Sequence, residues 1–141
     1  MISFDVKDPT DGFVGSARLA DYKDVKAGKL ELLNPTEYVT KLQTLSLVID
    51  YPLTNAAKVT LSVTDPKGFT RLALFTQIVA AYKKIYKEEN QGSKDPEPTG
   101  NLYNRPRTNG KYGIWGHVME DLFLEGADVS KTGKVKLYMG S

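Results

Sequence analysis

The sequence predicts an α+β protein in which an antiparallel sheet of about five to six strands carries one long helix on one face, with a long polar loop attached. Three observations predict it. Two neighbouring runs repeat with a period of two, one run repeats at three- and four-residue steps, and a polar stretch separates that helix from a final pair of alternating runs.

The elements follow in order. Residues 2–6 place Ile2, Phe4 and Val6 on one face, and Asp8-Pro9-Thr10-Asp11-Gly12 then breaks the run with turn-forming residues. Residues 13–19 predict another strand, residues 22–28 are charged and end on Gly28, and residues 29–33 are short and ambiguous. Residues 43–51 (QTLSLVIDY) set Leu45, Leu47, Ile49 and Tyr51 on one face, and residues 57–63 (AKVTLSV) set Val59, Leu61 and Val63 against Lys58, Thr60 and Ser62. A turn over 52–55 joins these runs into an antiparallel hairpin with one buried and one wet face.

After Asp65-Pro66-Lys67-Gly68 the period changes, and Leu72, Phe75, Ile78, Val79, Tyr82, Ile85 and Tyr86 mark one helical face through Glu89. Thr70 is placed to cap its first turn, and Asn90-Gln91-Gly92 supplies the stop. Lys83, Lys84 and Lys87 gather toward its C-terminus, where cations complement the helix dipole. Residues 91–111 are polar and rich in Gly, Pro, Asn and Lys, as expected of a flexible functional loop. Residues 121–128 and 134–139 predict a closing hairpin around Ser130-Lys131-Thr132-Gly133, in a register that opposes Val129 to Lys134, Gly126 to Leu137 and Leu124 to Met139.

Composition bounds the function. A chain of 141 residues fits one domain, and 40% hydrophobic with 26% charged residues is the balance of a folded chain. The absence of cysteine excludes disulfides, thiolate zinc sites and cysteine nucleophiles. A net charge of +2, with 19 basic and 17 acidic residues interspersed, implies no extended phosphate-binding surface. No run approaches the length of a membrane span and the N-terminus lacks a basic leader, so the expectation is a cytoplasmic protein without membrane association. Phosphate-cradling, dinucleotide, nucleophile-elbow and HExxH signatures are all missing.

The most distinctive stretch is Tyr112 to Gly126, YGIWGHVMEDLFLEG. The single histidine, His117, has Glu120 and Asp121 three and four residues on, a spacing that can orient a general base. Three such groups are too few for a zinc site, and the plainer alternative is a histidine satisfied in a buried turn. Tyr112 and Trp115, between glycines, could form an aromatic platform, or could simply be core. Asp121 and Glu125, read on one strand face beside Phe123, have Lys136 and Tyr138 as expected cross-strand neighbours, a pattern more cheaply explained as a solvated charge ladder. Arg105, Arg107 and Lys111, interleaved with Tyr103 and Tyr112, form a modest basic-aromatic patch suited to single-stranded nucleic acid, diluted by Asp95 and Glu97.

Gly68-Phe69-Thr70-Arg71, Tyr82-Lys83-Lys84-Ile85-Tyr86 and above all YGIWGHVMEDLFLEG followed by a closing strand resemble a set of uncharacterised small proteins of large double-stranded DNA viruses of amoebae and algae, the Marseillevirus group among them. The resemblance covers roughly the C-terminal half. It implies a protein made in the infected cytoplasm, packaged in the virion or directed at host components, and it carries over no catalytic residue. The resulting expectation is a non-enzymatic interaction protein that binds a viral or host protein through residues 91–117, with Tyr103, Arg105, Arg107, Tyr112 and Trp115 as contacts and no cofactor or metal. The alternatives are a hydrolytic or metal-assisted site at His117, Glu120 and Asp121, and weak nucleic-acid binding through Arg105, Arg107 and Lys111.

Overall fold

The computed structural model describes residues 1–92 and 110–141. The strands are β1 (Ile2–Ser3), β2 (Asp5–Lys7), β3 (Val14–Arg18), β4 (Glu31–Leu32), β5 (Tyr38–Thr40), β6 (Thr44–Ile49), β7 (Ala57–Ser62), β8 (Phe69–Thr70), β9 (Phe123–Val129) and β10 (Lys134–Gly140). A short helix α1 (Tyr22–Lys26) and a long helix α2 (Arg71–Gly92) complete the set. The protein is therefore α+β with one long helix, as expected. Its sheet is larger than the five to six strands foreseen, because eight strands join one open sheet in the order β4-β2-β3-β9-β10-β6-β7, with β1 also on β9. A separate ribbon pairs β5 with β8.

The β6–β7 hairpin forms as its alternation requires, pairing Leu45 with Leu61, Leu47 with Val59 and Ile49 with Ala57. The sheet is not wholly antiparallel, however: β10 lies parallel to β6, with Val135 beside Leu47. Each strand is short and already part of a local hairpin, so periodicity within it carries no information about the neighbour on its other side. The closing hairpin also differs from its expected register. Val129 faces Val135 and Gly126 faces Tyr138, while Leu124 does face Met139, because Glu125 is an extra residue bulged out of β9. The bulge returns Ala127 to the buried face occupied by Leu124 and turns Asp128 outward. Tyr138 accordingly bonds Asp128, 2.6 Å away, rather than lying opposite Glu125. Nor does the strand begin at Asp121, which closes a 3-10 turn, Met119–Asp121, ahead of Phe123.

Helix α2 packs across the inner face of this sheet. Thr70 Oγ1 accepts the amide of Ala73 at 3.1 Å, the expected cap. Phe75, Ile78, Val79, Tyr82, Ile85 and Tyr86 are buried as predicted, whereas Leu72 is exposed and Leu74 takes its place in the core. Burial of Phe75, Ile78 and Val79 contributes roughly 1.5–3 kcal/mol each. The helix runs to Gly92, so the lysines at 83, 84 and 87 stand along its outer side rather than in its last turn. Arg71, also buried, sews its first turn to the rest: its guanidinium donates to the carbonyls of Ser3 and Asn34 and to Glu37 Oε1, at 2.9, 2.9 and 3.0 Å.

Candidate functional site

The stretch singled out in the sequence begins on a turn held from two directions. From below, Glu89, 1% exposed on α2, accepts three main-chain amides: Gly110 and Gly113 on Oε2 at 3.2 and 2.9 Å, and Tyr112 on Oε1 at 3.0 Å. One carboxylate in the low dielectric of a core is compensated here by convergent N–H dipoles. From the side, the turn between β6 and β7 clasps the same segment. The amides of Thr54 and Asn55 donate to Tyr112 O, Thr54 Oγ1 donates to Gly113 O, and Asn55 Nδ2 donates to Lys111 O. Leu53 and Ile114 form an isolated β-bridge, and the amide of Trp115 donates to Pro52 O at 3.1 Å.

Beyond this clasp the chain displays a cluster of rings. Tyr51 and Trp115 meet edge to face, 5.5 Å between centroids, and His117 lies 5.9 Å from Tyr51 and 6.2 Å from Trp115. Gly116, with φ +75°, makes the reversal between Trp115 and His117 in a backbone region that glycine enters without steric cost. Two tyrosines one helical turn apart hold the rings from beneath: Tyr82 Oη donates to Tyr51 O at 2.8 Å, and Tyr86 Oη to His117 O at 3.1 Å. Tyr82, Tyr86 and Glu89 thus use one face of α2 as a scaffold, since residues three and four apart share a face. Trp115 itself stays 42% exposed.

The predicted site residues distribute unevenly. His117 and Asp121 do come together, Nδ1 to Oδ2 at 3.5 Å, both largely covered. That is within ion-pair reach but longer than a strong hydrogen bond. Glu120 is exposed and makes no hydrogen bond or ion pair among the described residues. Tyr112 is buried, its hydroxyl donating to Glu88 Oε2 at 2.6 Å, with the Lys111 ammonium 5.3 Å over its ring. The bond to Glu88 chiefly, aided by burial and by the charges of Glu88 and Glu89, pushes the Tyr112 hydroxyl up to about 12. Tyr103, Arg105 and Arg107, with most of the predicted 91–111 loop, lie outside the described residues. Among the described residues no group of three or more His, Asp or Glu is placed to share a metal ion, and no helix is long and apolar enough to cross a membrane.

Two contributors are not visible in the sequence, whose periodicity places Tyr51 on the buried face of a strand and Glu89 at the end of a helix. The only available signal for Glu89 was its position, three residues after Tyr86 and seven after Tyr82 on the apolar face. No protein-family model matches this chain, and no curated protein and no solved structure matches it either.

Proposed function

We propose that this chain is a non-catalytic binding protein and that its partner is another protein, which docks on the Tyr51–Trp115–His117 cluster. The observation that carries the reading is Trp115, 42% exposed on a turn whose backbone is pinned at Glu89, Pro52 and Thr54. Exposed tryptophan and tyrosine are the side chains that dominate binding energy at protein interfaces. A pinned backbone reduces the entropy lost when a partner binds. The resemblance to small proteins of large DNA viruses supports seeking that partner among virion and host-cell proteins.

Trp115 is the sole tryptophan, so its fluorescence reports on the site alone. A purified partner is expected to shift Trp115 emission to the blue, and Trp115→Ala is expected to weaken its binding about thirtyfold or more. A partner bound equally well by Trp115→Ala, with unchanged emission from the native chain, would refute the reading.

The 3.5 Å approach of His117 to Asp121 supports a second reading, in which Asp121 orients His117 as a general base for hydrolysis. That reading expects His117→Ala to abolish turnover of an ester or phosphoester while leaving thermal stability nearly intact. Unfolding of the variant would make His117 structural instead.

A further inference from the structure

Among the described residues the sheet ends on β7, and the outward groups of that strand are treated unequally. In an antiparallel pair, successive residues alternate between bonding the partner strand and pointing their N–H and C=O away from it. The amide of Val63 donates to Gln43 O, which fixes the phase. Leu61, Val59 and Ala57 therefore bond β6, while Ser62, Thr60 and Lys58 direct their main-chain groups outward.

At Ser62 those groups are taken. The Gln77 carboxamide, from α2, donates to Ser62 O at 2.8 Å and accepts the Ser62 amide at 3.2 Å, reproducing with a side chain the two bonds of a neighbouring strand. At Thr60 and Lys58 no partner occupies the outward groups among the described residues. Beside this open stretch runs a groove of about 230 Å3 between β7 and α2, lined by Val59, Leu61, Gln77, Ala80, Ala81 and Lys84. The two alanines are what leave the space. One lysine lines it: Lys84 is exposed and paired only at 4.0 Å with Glu88, while Lys58 stands on the opposite face of the strand.

We propose that β7 is an acceptor for an extended peptide of another protein, which adds as the next strand through the main chain of Lys58 and Thr60. Alternate side chains of the added strand point toward α2, so the peptide is apolar at those positions and fills the groove beside Ala80 and Ala81. An acidic residue in the same alternate series, two positions along, meets Lys84. A second copy of this chain is a poor occupant, because its Val59 and Leu61 already pack into its own core and leave its β7 no free apolar side chain for the groove. The surface is distinct from the Tyr51–Trp115–His117 cluster and does not depend on it.

A displayed library of random nine-residue peptides, selected on the full chain, tests the proposal. Selected peptides are expected to carry apolar residues at alternate positions with at least one acid in that same series, to shift the amide resonances of Lys58 and Thr60, and to bind Trp115→Ala as well as the native chain. Thr60→Pro removes an outward N–H and leaves the β6 pairing bonds in place, so it is expected to weaken binding about tenfold or more. Lys84→Glu alters only an exposed side chain, keeps the fold in any event, and is expected to reduce binding about fivefold. The proposal is overturned if selection yields no binder above background, if selected peptides bind both variants as tightly as the native chain, or if sedimentation shows the edge already closed by a second copy.

Discussion

The two ends of α2 solve one problem with opposite charges. At its start Arg71 is buried and gives its guanidinium hydrogens to the carbonyls of Ser3 and Asn34 and to Glu37. In its last turns Glu89 is buried and takes the amides of Gly110, Tyr112 and Gly113. Each sign is the unfavourable one for the helix dipole, which prefers anions at the start and cations at the finish. The tertiary demand outweighs that fraction of a kcal/mol, because an unpaired buried main-chain group costs about 1–3 kcal/mol. The ends differ in what they hold. Arg71 closes the core around residues 3–37, whereas Glu89 secures the turn that displays Trp115.

This comparison can be broken by substitution. Glu89→Leu strands three amides at once and is expected to lose about 3 kcal/mol or more, a fall in melting temperature on the order of 10 °C by circular dichroism. Arg71→Met is expected to cost less, about 2 kcal/mol, since Glu37 is exposed enough to regain water and an under-bonded carbonyl is tolerated better than an orphaned N–H. The reverse order would show that the Arg71 junction is the stronger one.

The conservative replacements sharpen the contrast. Both oxygens of Glu89 accept hydrogen bonds, so Glu89→Gln turns a donor toward an amide and is expected to recover less than half of the loss seen with leucine. If Glu89→Gln is as stable as the native chain, negative charge and both acceptors are dispensable there.

The smallest effect concerns pH. The Tyr112 hydroxyl is raised from its ordinary 10.0 to about 12, so folding favours its protonated form. That contribution is fully present below pH 10 and is lost as pH rises through about 12. Tyr112→Phe is therefore expected to flatten the fall in urea midpoint between about pH 10 and pH 12. An unchanged slope would mean that the bond to Glu88 does not discriminate between the protonation states.

Much of this fold was legible. The β6–β7 hairpin announces itself through Leu45, Leu47 and Ile49 facing Val59 and Leu61, and α2 through Phe75, Ile78, Val79 and Tyr82. The closing hairpin was legible in place but not in register: Ser130 already bonds Lys134 and so shortens the turn, and the bulge at Glu125 then restores the expected Leu124–Met139 pair. The candidate site was legible only in half. His117, Asp121 and Trp115 are close in sequence and stay close in space, but Tyr51 reaches Trp115 from a separate hairpin.

By itself, then, the sequence determined what depends on near neighbours: the first hairpin, the long helix and its Thr70 cap. Side-chain period and backbone sterics act over a few residues. Only the tertiary structure decided the parallel seam between β6 and β10, the burial of Arg71 and Glu89, and the meeting of Tyr51 with Trp115 and His117. Those depend on which main-chain groups are left without water when distant segments pack together. That demand exists only after the chain has folded.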